Sequence, residues 1–192
     1  MVDTYFDITP YLPAVNNGEL IITANNRLRN HMLRAYAKQQ AQTVWASPRI
    51  YSLSQWIELN WSQLQRRAYA PAARQIINNL QRQCLWEKII SQSSLAAALL
   101  QAESLAQAAD SALRNLELWQ LTEEDVRTAE PQLNVASNSY CWLTWLGEFR
   151  ATLASLGFIT QENAITILAD TFKEFLIPQE AIIHLTGFDD IP

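Results

Sequence analysis

The sequence predicts an α/β fold: a small parallel sheet with flanking helices, interrupted by a large all-helical insertion. Three observations predict it. Runs at residues 19–24 (ELIITA), 49–53 (RIYSL) and 181–186 (AIIHLT) read as short strands, and two of them are nearly continuous apolar stretches, as suits strands covered on both faces. Each of the first two runs is followed by apolar residues at helical spacing. From about residue 71 to residue 177 no run reads as a strand, so helix alone is expected between the second strand and the third.

Taken in order, Asn25 and Asn26 after the first strand are good N-caps. Leu28, Met32, Ala35 and Tyr36 then mark one apolar helix face, while Arg27, His31, Arg34 and Lys38 fall at helical spacing on another. After the second strand, Ser52 or Ser54 can cap a helix in which Leu53, Trp56, Ile57, Trp61 and Leu64 repeat at helical spacing. Strand, helix, strand, helix is the opening of a doubly wound unit. In the middle, Ile76, Ile77, Leu80, Cys84, Leu85 and Ile89 share a register over residues 76–90. Leu95, Leu99, Ala102, Leu105, Ala109, Ala112, Leu113 and Leu116 form a stripe over residues 95–118. Thr122 opens a short helix with acidic residues in its first turn. Residues 130–139 read as a polar linker, residues 140–156 as a helix stopped by Gly157, and Thr160 with Asn163 as the start of a last helix. The expected division is an α/β lobe of residues 1–62 plus 179–192 and a helical lobe of residues 63–178. A parallel strand so close to Pro192 leads to two further expectations. The natural protein continues beyond this fragment, and the sheet edge near Ile182 and Leu185 exposes apolar surface.

Composition bounds the chemistry. Of 192 residues 49% are hydrophobic and 7 are Trp, enough for a filled core. Gly numbers only 4, which argues against turn-rich all-β folds and against Gly-rich phosphate loops. Cys84 and Cys141 form no CxxC pair and the histidines are His31 and His184, so neither a zinc site nor a disulfide framework is expected. No signal-peptide pattern opens the sequence, and no apolar run approaches the ~18 residues of a membrane span, so a cytoplasmic location is expected. The net charge is −5, unevenly spread. Residues 1–88 carry ten Lys/Arg against five Asp/Glu, and residues 89–192 carry four against fourteen. Such asymmetry is compatible with a nucleic-acid-facing first part.

The order of strands, helices and helical insertion resembles the first lobe of superfamily 1 helicases, whose motor fold is of the P-loop type. Three blocks narrow the resemblance. IITANNRLRNHMLRAYA (residues 21–37) is similar to the second strand and helix in the inactivated helicase-like half of AddB-like helicase–nucleases. VWASPRIYSLSQWIELNW (residues 44–61) is similar to their next strand and helix, and LTGFDDIP (residues 185–192) resembles the strand in their Walker B place. The nearest group is that of bacterial probable DNA repair proteins with a C-terminal PD-(D/E)XK nuclease. The resemblance implies a role in DNA repair or recombination, an exonuclease activity and its Mg²⁺ located in a nuclease domain outside this chain, and a possible helicase or nuclease partner subunit.

The ATP machinery is missing. A phosphate cradle needs backbone N–H groups from a Gly-rich loop, a Lys on the phosphates and a Ser or Thr on Mg²⁺. The 17 residues before Gly18 contain no Lys and no such loop. The resemblance puts Thr186 where the Walker B Asp belongs, with Asp190 near the place of the following acid. Neither a catalytic site nor a cofactor is therefore expected here. Ser52 or Ser54 with a histidine lacks the GxSxG elbow of a hydrolase; His184 reads as a packed strand residue, and Asp189 with Asp190 as an acidic turn. What remains is binding. In helicase-type domains single-stranded DNA crosses the loops at strand C-termini, which nominates Asn25, Asn26 and Arg27 after the first strand and Ser52, Ser54 and Gln55 after the second. Arg34 and Lys38, with Arg27 and His31, could extend a phosphate track. The other reading is a protein-interaction scaffold, in which the acidic helical part docks a partner.

Overall fold

The computed structural model describes residues 7–41, 44–94, 102–129, 138–174 and 176–189. It is an α/β structure with small parallel sheets flanked by helices, and it divides into two compact units, Met1–Arg67 with Leu168–Ile191 and Ala68–Ile167.

In the first unit, α1 (Leu12–Asn16) leads into β1 (Leu20–Thr23), followed by α2 (Asn26–Gln39), β2 (Ile50–Ser52) and α3 (Leu53–Arg66). The last strand, β5, spans Ile183–Thr186. The sheet runs β2-β1-β5, all parallel. Every residue of β1 is buried. Ile21 and Ile50 join Ile8, Ala14, Val15, Met32 and Ala35 in one apolar cluster, so α1 and α2 bury their apolar faces against the sheet. The α1 helix has no counterpart among the sequence expectations; it is five residues long and holds a Pro in its first turn, too short to show a period.

β5 begins at residue 183, not 181. Its apolar run suited a strand covered on both faces, but it shows instead the exposed edge expected near Ile182 and Leu185: Ile182 is 51% and Leu185 50% exposed. It is an edge strand, joined to the sheet by its ladder to β1 and by two polar ties. His184 Nε2 lies 2.5 Å from Glu19 Oε2, and Arg49 donates to Glu180 through Nη2 and Nη1, at 2.5 and 2.8 Å. His184 is therefore partnered by a carboxylate and only half-buried, not packed in apolar surroundings.

The second unit holds α4 (Asn79–Gln92), α5 (Ala102–Leu118), α6 (Glu123–Ala129), α7 (Asn138–Ser155) and the start of α8 (Gln161–Lys173). It also holds two strands in the stretch expected to be strand-free: β3 (Gln75–Ile76) and β4 (Phe158–Ile159) pair in parallel. Two-residue strands carry no readable period, and these partners are far apart in sequence. The same pairing corrects the register of α4. Asn78 and Gln81 form a capping box that starts the helix after the strand, so Ile76 and Ile77 lie outside it. Leu80 is consequently 74% exposed and Cys84 exposed, and the buried face is Arg82, Leu85, Trp86, Ile89 and Ile90. Trp86 stacks on Phe149 at 4.2 Å, at the centre of a cluster that includes Leu113, Leu146 and Leu153. Buried Arg82 is offset by two acids: it bonds Asp110, and its Nη1 donates to Glu162 at 2.7 Å. Arg114 reaches Asp110 at 2.9 Å as well. The first part of the expected 95–118 helix and the linker at 130–137 lie outside the described residues.

The ties of β5 give a pH prediction. The hydrogen bond with His184, then that from Asn17, holds the Glu19 carboxyl below its ordinary 4.5, and Arg49 does the same for Glu180. A carboxylate with a lowered folded value contributes stability that is present above the unfolded value and lost as pH falls through the folded one. Amide-exchange protection in Ile183–Thr186 is therefore expected to drop as pH falls below 4.5, ahead of protection in Leu20–Thr23. Equal loss in both strands would show that the two carboxylates do not hold the edge.

Candidate nucleic-acid interface

A parallel sheet gathers its strand C-termini on one edge, and with them the N-termini of the helices that follow. Here that edge carries the ends of β1, β2 and β5 and the starts of α2 and α3, each helix 14 residues long. Helix N-termini present unpaired N–H groups and the positive end of the helix dipole, so the edge favours anions.

Asn25 is the N-cap of α2, its Oδ1 accepting from Leu28 N at 2.9 Å, and Asn26 is the first helical residue; both are exposed. Arg27, His31, Arg34 and Lys38 are all exposed on the outer side of α2, opposite buried Met32 and Ala35. Arg27 and Arg34 make no ion pair among the described residues. Ser52 is buried and is the N-cap of α3, its hydroxyl accepting from Gln55 N at 3.3 Å while Gln55 Oε1 accepts from Ser52 N at 3.4 Å. Ser54 is exposed in the first turn and is not the cap. The hydroxyl of Ser52 is thus committed to capping, and Gln55 retains its NH₂ group for other partners.

On the β5 side, the Thr186 carbonyl accepts from Ala24 N at 3.0 Å, and its hydroxyl lies 2.7 Å from the Tyr11 hydroxyl. Gly187 follows with φ +73, and a Cβ there would overlap Leu28 Cδ2. The turn after β5 is therefore closed against the first turn of α2. Asp190 lies outside the described residues. Among the described residues no group of three or more His, Cys, Asp or Glu is arranged to hold a metal ion. No helix in the described residues is long and apolar enough to cross a membrane.

No protein-family model matches this chain, and no curated protein matches it.

Sequence reading missed two residues that shape this edge. Tyr11 reaches Thr186 from a segment that carries no period. Arg29 lies between the basic residues of the stripe, yet its Nε turns to the β2 carbonyl of Ile50 at 3.1 Å. Its position two residues after Arg27, off the outer face, is the one signal the sequence held.

The closed turn is testable. Gly187→Ala should cost about 1–2 kcal/mol from the left-handed backbone alone, and more while Leu28 keeps its place. Urea unfolding of the variant measures the loss; a neutral substitution would show that Gly187 is not pinned.

Proposed function

We propose that this chain is a non-hydrolysing, helicase-like DNA-binding module of a DNA repair or recombination exonuclease of the AddB-like kind. On this reading the chain grips single-stranded DNA without sequence preference in its backbone contacts, and nuclease chemistry with its Mg²⁺ belongs to a PD-(D/E)XK domain outside these residues. One observation carries the reading: three parallel strand ends and two helix N-termini share an edge, and an exposed row of Arg27, His31, Arg34 and Lys38 runs from it along α2. The row is cationic, solvent-facing and backed by a packed face, which is how a phosphate track is built. The cationic character belongs to this row and not to the unit as a whole, since Met1–Arg67 with Leu168–Ile191 holds eight Lys/Arg against nine Asp/Glu.

A second reading, docking of a partner helicase or nuclease subunit, is favoured by a different feature. Leu118 at the end of α5 and Trp119 and Leu121 in the turn after it are exposed, Trp119 by 61%, and after Thr122 come Glu123, Glu124 and Asp125. An exposed indole beside acids suits a protein surface better than phosphate.

Fluorescence anisotropy with labelled single-stranded DNA separates the two. With about three phosphates engaged, log Kd should change with log salt at a slope of magnitude about 2, from roughly 0.7 per contact. Replacing Arg27, Arg34 and Lys38 together by Ala should abolish binding with the fold intact, since all three are exposed. Salt-independent binding, or a triple variant that binds like the parent, would leave the row a solvated face and favour the scaffold. Calorimetry should detect no binding of Mg-ATP at millimolar nucleotide; a micromolar Kd would contradict the non-hydrolysing assignment.

A further inference from the structure

Along the free edge of β2 the first unit carries a cleft of about 370 Å³, lined by Arg29, Tyr51, Gln55, Glu58, Leu59 and Ser62. Its volume lies at the small end of the roughly 300–1,000 Å³ of small-molecule sites. The construction follows from local rules. Ile50 and Ser52 are buried, so Tyr51 between them points to the other side of the strand and is half-exposed. Gln55, Glu58, Leu59 and Ser62 are spaced i, i+3, i+4 and i+7 on α3 and form one face beside that ring. Arg29 is fixed at the remaining wall by its bond to the Ile50 carbonyl.

The polar groups of this cleft are unspent. Among the described residues, the Tyr51 hydroxyl, the Glu58 carboxylate and the Ser62 hydroxyl make no hydrogen bond. Gln55 uses Oε1 on Ser52 N, which leaves its NH₂; Arg29 uses Nε and Nη1, which leaves Nη2. An aromatic ring and a leucine therefore meet a carboxylate acceptor and two N–H donors in one concavity. Arg29 and Glu58 offset each other in charge, so the interior does not draw in a phosphate. It suits a flat, uncharged heterocycle that offers a donor to Glu58 and acceptors to Gln55 and Arg29.

We propose that this cleft seats one base of a bound single strand, and that it prefers a base with an exocyclic amino group over thymine. The inference rests on the DNA-binding reading above and adds base selectivity to it. Tyr51 supplies the stacking surface. Glu58 accepts from an amino group such as cytosine N4, where thymine presents a carbonyl oxygen that the carboxylate repels.

Anisotropy titrations with short labelled oligo(dC) and oligo(dT), at slightly alkaline pH and low salt, test this. Oligo(dC) should bind about tenfold more tightly, within the range that one good side-chain contact to a base edge provides. Glu58→Gln, an exposed helix position that does not threaten folding, should shrink that preference to about twofold, lowering oligo(dC) affinity and raising oligo(dT) affinity, because an amide serves either base edge. Tyr51→Leu should weaken both oligonucleotides about tenfold while Tyr51→Phe retains both, as expected for stacking. Equal binding of the two oligonucleotides by the parent protein, or an undiminished preference in Glu58→Gln, overturns the base-seat assignment and leaves the phosphate track standing. Binding of neither oligonucleotide overturns both.

Discussion

The first unit depends on one strand. β1 is buried along its whole length and is hydrogen-bonded on both sides, to β2 through Ile21, Ile22 and Thr23 and to β5 through Leu20 to Thr23. Its terminal Thr23, wholly buried, satisfies its hydroxyl by donating to the carbonyls of Asn25 and Tyr51. The chain that connects β2 to β5 passes through the entire second unit, so closing the sheet carries a loop-closure cost. That cost grows only slowly with length and is offset by a four-residue ladder on a dry strand. Because β1 sets both registers, it also sets the level at which Asn25, Ser52 and Thr186 emerge. The anion-favouring edge is a geometric consequence of β1 and not of any motif.

The two edges of the sheet are finished differently. At β2, Arg29 caps a carbonyl and α3 turns back beside the strand, leaving a walled cleft. At β5, the strand shows apolar side chains and is held by two carboxylate contacts, Glu19 with His184 and Glu180 with Arg49. In the second unit burial of charge is balanced locally. Arg82 has Asp110 and Glu162 around it, and Glu117, pushed up chiefly by burial, accepts from Thr160 and Asn163. Such networks are costly to break and fix how helices α4, α5 and the start of α8 meet.

Much of this was legible in the sequence where a local rule sufficed. β1, β2 and the helices after them were readable because Asn25 and Ser52 are caps at the ends of β-branched runs, and the exposed row on α2 followed from helical spacing. The register of α4 was misread because Ile76 and Ile77 look like a helical stripe. Only the Asn78–Gln81 capping box shows that the helix begins after them. The two-residue strands β3 and β4 leave no period at all. The β2 cleft was invisible for another reason: Arg29, Tyr51 and the outer face of α3 lie on three elements that the sheet brings together, and apart from Gln55, nominated from its place after β2, each residue alone reads as an ordinary surface position. The exposure of β5 was foreseen, but its attachment through His184 was not, since an apolar strand hides a polar tie.

On the proposed reading the strand C-terminal edge of the first unit, not the acidic second unit, meets DNA. Backbone chemical-shift mapping of the ¹⁵N-labelled protein during titration with a short single strand tests it most directly. The claim predicts shifts concentrated at Asn25 to Arg29, along the outer face of α2, at Tyr51 to Gln55 and at the turn after Thr186, with the second unit unmoved. Shifts centred on the turn from Leu118 to Leu121, or spread evenly over both units, would contradict it.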